Sequence, residues 1–228
     1  MKDRAVKKHI KDLLRGDDLE QALVELRKFP SKQLVNPLIS SLFSTKEVLK
    51  WHAVTAIGQI VSNIAFEDME SARIIMRRFM WSLNDESGGI GWGAPEAMAE
   101  IMVCHDQVAE EFAHMLVAYM REDGFFLEHL PLQRGLMWGT GRLASVKPEL
   151  LLKKEVVHYL LPYLESEDGA VLGLAMYAMG QLGATEAAGT IKKHCNDPRK
   201  LTHYFDRRIF ITTVGELAEQ AMSSLSSP

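Results

Sequence analysis

The chain has 228 residues, of which 47% are hydrophobic and 25% charged, a composition typical of a globular protein and unlike a disordered or collagen-like one. Its formal net charge of -4 gives no reason to expect nucleic acid or an anionic membrane as a partner of the whole molecule. Two cysteines, Cys104 and Cys195, exclude a disulfide scaffold and fit a reducing compartment.

The N-terminal segment predicts a helical cap. Residues 1–18 lack the apolar core of a signal peptide, and no stretch of the chain approaches the ~18 apolar residues of a membrane helix. We therefore expect a cytoplasmic protein without membrane association. Residues 1–30 are expected to form one or two capping helices, residues 31–222 a repeat region, and residues 223–228 a tail, all within a single domain.

Five ten-residue segments align without gaps along the rest of the chain. Their eighth position is always small, and their tenth is always Ile or Leu. The small residues recur at intervals of 41, 42, 39 and 35 residues, a period typical of helical-hairpin repeats. Small side chains in one register let neighbouring helices approach closely. The segments are Trp51–Ile60, Trp92–Ile101, Arg134–Leu143, Gly173–Leu182 and Arg208–Leu217.

Another apolar helical pattern precedes each of these segments. No alternation of apolar and polar residues of the strand type is evident, so helices alone account for the chain. The sequence therefore predicts an all-α fold, a right-handed α-solenoid of about five helical hairpins behind the N-terminal cap. The preceding patterns are Val35–Leu42, Ala72–Leu83, Glu111–Met120, Glu155–Leu164 and Ala187–Cys195.

This pattern resembles HEAT repeats. The stretch AMGQLGATEAAGTIKKHCND (residues 178–197) is most similar to the short HEAT-like repeats named after phycobilisome lyases. The stretch WSLNDESGGIGWGAPE (residues 81–96) is similar to an uncharacterised bacterial HEAT-like family. The resemblance implies a stacked solenoid, but such repeats serve scaffolds, inhibitors, lyases and DNA enzymes alike, so it implies no activity.

Positions one, five and nine of each segment share one helical face, and the ninth is polar in all five. Second helices usually line the concave side of a solenoid, so this face is expected to be exposed in a groove. Carboxylates from one helix can reach arginines of the next across the ~8–10 Å between axes. Two interpretations stay open, a salt-bridged structural wall or a ligand groove with aromatic walls. The predicted groove residues are Trp92, Glu96, Glu100, Arg134, Trp138, Arg142 and Tyr177.

Two hairpin turns are longer than the others, Asn84–Gly93 and Arg121–Arg134, and we expect both on the same rim of the groove. The glycines of the first turn are interpreted as a tight turn rather than a phosphate loop, since no strand precedes them. Asn84, Asp85 and Glu86 are counted with the candidate binding residues. The two acids could hold a divalent cation together with Glu96, but solvated turn residues are the favoured interpretation, and we expect no metal site and no cofactor.

Two functions from different classes fit this pattern. The favoured one is a non-catalytic binding or scaffold module that recognises a protein or peptide segment through the concave groove. A mixed, aromatic cavity supports this function, whereas a continuous positive stripe supports DNA binding.

The alternative is an enzyme acting on DNA. Trp92, Glu96, Arg134 and Tyr177 resemble the active groove of HEAT-like alkylpurine DNA glycosylases. That resemblance implies that Glu96 stabilises a sugar cation, that Arg134 holds a phosphate, and that the two aromatic residues contact the lesion. A Glu in place of the usual Asp and the lack of surplus basic residues argue against a nucleic-acid partner.

Overall fold

The computed structural model describes residues 3–84 and 90–226, and helices make up most of the described chain. The described part also contains two 3-10 turns, Leu161–Glu165 and Thr185–Ala187. It contains one antiparallel pair of strands, β1 (Lys200–Phe205) and β2 (Arg208–Thr213). The helices are α1 (Asp3–Arg15), α2 (Leu19–Leu26), α3 (Ser31–Leu42), α4 (Glu47–Glu67), α5 (Met69–Ser82), α6 (Ala94–Cys104), α7 (Asp106–Ala118), α8 (Leu130–Ala144), α9 (Pro148–Leu152), α10 (Val156–Leu160), α11 (Gly169–Gln181), α12 (Ala188–Lys192) and α13 (Val214–Ser226).

The architecture is a helical solenoid, as predicted. Helices α4, α6, α8, α11 and α13 pack side by side in chain order and form the inner layer. The helices that precede them in the chain, α3, α5, α7, α9 with α10, and α12, form the outer layer. Among the described helices, none is both long and apolar enough to cross a membrane.

The small residues of the repeat lie where inner helices approach each other. A Cβ atom added to Gly58 of α4 would come within 2.7 Å of the Glu100 side chain on α6. A Cβ added to Gly180 of α11 would lie 2.6 Å from the Cα of Ala221 on α13. These separations are too short for a side chain, so glycine at the eighth position sets the helix spacing, as the repeat predicted.

The fourth and fifth outer helices are shorter than predicted. The segment Glu155–Leu164 forms only α10 before it tightens into a 3-10 turn, where Pro162 removes a backbone donor. The segment Ala187–Cys195 forms only the five residues of α12. The outer layer is therefore thin at the C-terminal end of the solenoid.

The prediction of helix throughout is wrong for residues 200–213. Here the chain forms a hairpin in which Lys200 pairs with Thr213 and Phe205 with Arg208. Asp206 and Arg207 form its two-residue turn, both with positive φ, which matches the right-handed twist of the two strands. β-Branched and aromatic side chains dominate both strands and favour extended backbone. The fifth ten-residue segment therefore begins as β2 and becomes helical only at Val214.

The hairpin lies against the concave side of the inner layer. Strand β1 buries Tyr204, whose ring stacks on Trp51 of α4 with centroids 4.8 Å apart and planes 12° from parallel. The Tyr204 hydroxyl lies 2.7 Å from the Thr55 hydroxyl, and the Trp138 indole N–H donates to the Tyr204 carbonyl at 2.8 Å. At the turn, Arg207 pairs with Glu20 of α2. The hairpin thus joins the C-terminal part of the solenoid to α2, α4 and α8.

We expect Tyr204→Ala to lower the free energy of unfolding by about 3 kcal/mol, since it removes a buried aromatic ring and leaves the Thr55 hydroxyl without its partner. The adjacent Phe205→Ala, which removes a ring that is 48% exposed, should cost no more than about 1 kcal/mol. Urea unfolding followed by tryptophan fluorescence measures both. Equal losses would contradict the described position of the hairpin.

Candidate functional site

The hairpin divides the concave side into two cavities. We call the first the tryptophan cavity, about 1030 Å³ in volume, because Trp51, Trp92 and Trp138 line it. We call the second the arginine cavity, about 1240 Å³, because Arg142, Arg207 and Arg208 line it. Strand β1 forms part of both walls, and Trp138 contributes to both.

The predicted groove residues are separated and mostly buried. Trp92, Glu96 and Arg134 line only the tryptophan cavity. Glu100, Arg142 and Tyr177 line only the arginine cavity, and Trp138 lines both. The expectation that the whole face is exposed is wrong, because β1 covers it. The buried members and their exposed fractions are Glu96 with 2%, Glu100 with 6%, Trp138 with 5% and Tyr177 with 5%.

Trp92 is exposed because it lies before the start of α6, whereas the sequence predicted it on that helix. Helix α6 begins at Ala94, and Gly93 adopts a left-handed φ of 74° as its N-cap. A Cβ at Gly93 would also lie 2.9 Å from the Cβ of Leu42, so glycine is doubly favoured there. Trp92 is consequently 42% exposed at the edge of the tryptophan cavity.

Glu96 is the most unusual polar group of this cavity. One carboxylate oxygen pairs with the Lys50 ammonium at 2.7 Å, and among the described residues the buried second oxygen, Oε2, has no hydrogen-bond partner. Gly135 provides the space for Oε2, since a Cβ there would lie 2.4 Å from it. The expectation that an arginine of the next repeat pairs with Glu96 is therefore wrong.

Lys50 also lies over the Trp51 ring, with its nitrogen 4.8 Å from the ring centroid. Burial opposes the charge of Lys50, but the nearby Glu96 carboxylate outweighs burial and raises the pKa of the ammonium group. The tryptophan cavity thus already holds one cation between a carboxylate and an aromatic face, two groups that stabilise positive charge.

The two arginines are neutralised by different carboxylates. Arg142 donates to Glu100 at 2.8 Å, the pairing expected from neighbouring repeats. Arg134 instead pairs with Asp168, the N-cap of α11, whose carboxylate also accepts from the N–H groups of Ala170 and Val171 at 3.0 Å. Burial opposes the Asp168 charge, yet these hydrogen bonds keep its pKa below the usual value.

A second buried polar atom that has no partner in the described part of the chain lies in the wall of the arginine cavity. His203 of β1 is 6% exposed, meets the Tyr177 ring edge-on at 5.2 Å, and its Nδ1 atom has no hydrogen bond among the described residues. Burial lowers the pKa of His203 to about 4, so the ring is neutral at pH 7. The wall of this cavity at His203 is therefore uncharged under physiological conditions.

The two long turns contribute unequally. Trp92 and Gly93 at the end of the first, and Pro131 and Arg134 at the end of the second, line the tryptophan cavity together. Asn84 is tied to Trp81 by a backbone hydrogen bond of 3.0 Å. Asp85 and Glu86 lie outside the described residues, so their predicted participation stays a prediction.

Sequence reasoning missed several residues of the site, among them Lys50, Asp168 and Tyr204. Lys50 directly precedes the first ten-residue segment, so extending the alignment by one position would have placed it beside the groove. Asp168 carries the N-cap signal of an Asp before a helix. Tyr204 has no signal in the repeat, because it belongs to the strand that interrupts it.

Comparison with known proteins supports the fold and leaves the function open. No family model matches the chain. An uncharacterized protein of Archaeoglobus fulgidus is 28% identical over 152 residues, which cover 64% of this chain and 73% of that protein.

Among solved structures, an engineered protein matches with a TM-score of 0.54 and 18% identity, over 100% of this chain and 59% of that one. A designed armadillo repeat protein in complex with the peptide (KR)4 matches with a TM-score of 0.52 and 18% identity, over 96% of this chain and 98% of that one. The chain is therefore a helical repeat protein in its fold.

We expect Trp138→Ala to lower the free energy of unfolding by about 3–5 kcal/mol, because the ring is buried against Trp51 and its N–H is bonded to Tyr204. Trp92→Ala should cost clearly less, about 1 kcal/mol, since 42% of Trp92 is exposed. Thermal and urea unfolding of both variants measure the difference. A large loss in Trp92→Ala would place this residue in the core instead.

His203 should make stability depend on pH. Between its unfolded pKa of 6.5 and its folded pKa of about 4, the unfolded chain binds a proton that the folded chain does not, so acidification destabilises the fold. When the pH falls from neutral to ~5, the free energy of unfolding of the wild type should decrease by about 2 kcal/mol more than that of His203→Phe. Urea unfolding at both pH values measures the difference. Equal losses would mean that His203 is not buried as described.

Proposed function

We propose that the chain is a non-catalytic binding module that recognises a basic segment of a protein or peptide through the tryptophan cavity. The observation that carries this proposal is the buried Glu96 carboxylate, in a wall shared with three tryptophans, because one of its oxygens has no partner among the residues that the structure describes. A buried acceptor without a hydrogen bond costs about 1–3 kcal/mol, so a ligand that supplies a donor gains that energy.

The chemistry of the cavity favours a cation as that donor. Lys50 already occupies the space between Glu96 and the Trp51 ring. An incoming arginine or lysine side chain can displace the Lys50 ammonium, which is partly exposed, and pair with the Glu96 carboxylate in its place. Exposed Trp92 at the edge then provides the apolar contact typical of binding hot spots.

The size of the cavity sets how much of a partner it accepts. A volume of about 1030 Å³ is at the upper end for small-molecule sites, so the cavity is large enough to admit inserted side chains. The designed armadillo repeat protein with the peptide (KR)4 indicates that a related solenoid fold suits a basic peptide. We also propose that the repeats are of the HEAT type and that the protein is cytoplasmic.

The alternative from the sequence is an alkylpurine DNA glycosylase. One observation favours it, because Trp92, Glu96 and Arg134 do line a single cavity. Three observations count against it: Tyr177 lines the other cavity, Arg134 is paired with Asp168, and the lining contains acids as well as bases. DNA binding depends on unpaired positive charge, so the binding module is preferred. Release of alkylated bases from DNA, lost in Glu96→Gln, would reverse this preference.

A labelled (KR)4 peptide is the probe that tests the proposal, with an alternating Glu-Asp peptide of equal length as its counterpart. Fluorescence anisotropy should report binding of the basic peptide only. Glu96→Gln should weaken that binding at least about tenfold, because it removes a charged acceptor, and Trp92→Ala should also weaken it.

Glu110→Gln is the matched control, since it makes the same charge change on the exposed outer helix α7. It should leave the affinity unchanged, and circular dichroism checks that every variant is folded. If Glu110→Gln weakens binding as much as Glu96→Gln, attraction by net charge explains the binding and the cavity does not. If neither peptide binds, the proposed function is wrong.

A further inference from the structure

Strand β2 exposes an edge that is suited to pairing with another strand. Among the described strands, β1 is its sole neighbour, and it lies on one side only. Strand β1 is the buried member of the hairpin, whereas β2 exposes Arg208, 46% of Phe210 and 69% of Ile211. The hairpin therefore stands in the concave side with its inner strand covered and its outer edge at the surface.

The residues of this edge lack the features that usually prevent association. Natural edge strands are protected by proline, by lysine, by charges that point inward or by bulges. The sequence RIFITT of β2 contains no proline and no lysine, and its one charged residue is Arg208 at its start. Its pairing with β1 is continuous and contains no bulge. Phe210 and Ile211 point to opposite faces of the hairpin, so both faces are apolar at the edge.

We propose that β2 pairs antiparallel with β2 of a second copy of this chain, forming a four-stranded sheet across a two-fold axis. In such a pair, residues on the same face must lie opposite each other. The register that places Phe210 opposite Phe210 of the second copy also places Ile209 opposite Ile211. Aromatic and β-branched pairs of this kind are the favourable cross-strand contacts of a sheet.

The same register also brings opposite charges of the two copies close together. Arg208 comes to lie opposite Thr212 of the second copy. The Thr212 hydroxyl donates to the Glu216 carboxylate at 2.7 Å, and the Thr213 N–H donates to the same carboxylate at 2.9 Å. Each Arg208 is thus brought next to a Glu216, and the two-fold axis repeats the contact at the other end. A strand of another protein would need to reproduce this pattern, whereas a second copy supplies it by symmetry.

This proposal does not depend on the proposed function. Pairing occurs at the outer edge of β2, while Glu96 and Trp92 lie on helix α6 and the turn before it. Ile211 is an exposed lining residue of the tryptophan cavity, so the paired strand of the second copy would lie next to that cavity.

Sedimentation velocity of the full chain, from micromolar to millimolar concentration, tests the pairing. The wild type should pass from monomer to dimer as the concentration rises. Phe210→Lys places two like charges opposite each other and should raise the dissociation constant at least about tenfold. Ile74→Lys, which changes an exposed aliphatic side chain on α5, is the matched control and should leave it unchanged.

Cross-linking tests the register independently of affinity. Under mild oxidation, Phe210→Cys should form a disulfide-linked dimer, whereas Phe205→Cys on β1 should not exceed the background of the two native cysteines. A chain that stays monomeric at millimolar concentration would overturn the proposal. A dimer that Phe210→Lys leaves intact, or one in which both cysteine variants cross-link equally, would overturn it as well.

Discussion

The contact of Tyr204 with Trp51 and Trp138 determines how the rest of this solenoid is organised. In a repeat protein each hairpin normally contacts only its neighbours, so stability is carried along the chain. Here the Tyr204 hydroxyl meets Thr55 across 149 residues of sequence, and the same residue contacts α8 through its carbonyl. The first, third and last parts of the repeat are thereby coupled. Tyr204 lines the arginine cavity and Trp51 lines the tryptophan cavity, so this contact shapes both cavities as well as the local packing.

Charge pairs between repeats complete the inner layer. Lys50 pairs with Glu96, Glu100 with Arg142, and Arg134 with Asp168, so each pair joins one inner helix to the next or to its N-cap. The carboxylates are nearly buried while the cations stay partly exposed, an arrangement that limits the cost of removing both charges from water. Because one oxygen of Glu96 has no hydrogen-bond partner in the described part of the chain, Glu96 is the point at which we propose that this network also binds a ligand.

The sequence predicted the solenoid well because glycine spacing and helical periodicity are local signals. The close approaches at Gly58 and Gly180 lie where the alignment placed them. The hairpin was missed because an apparent fifth repeat, Arg208–Leu217, follows the same small-residue register although its first half is a strand. The site was predicted only in part for the same reason. Residues such as Glu100 and Tyr177 lie on the expected face of their helices, but a segment without helical periodicity covers that face.

Division of the concave side restricts what this solenoid can bind. An open solenoid offers a continuous groove to an extended chain. In this protein, β1 crosses that path, and a segment lying along the inner helices would have to displace Tyr204 from its contacts with Trp51 and Trp138. Such displacement exposes buried aromatic surface and leaves the Trp138 N–H without its acceptor, which costs several kcal/mol. Insertion of one or two side chains beside the hairpin avoids that cost. Affinity for a basic partner should therefore depend on the residues inserted at Glu96 and only weakly on the total length of the partner.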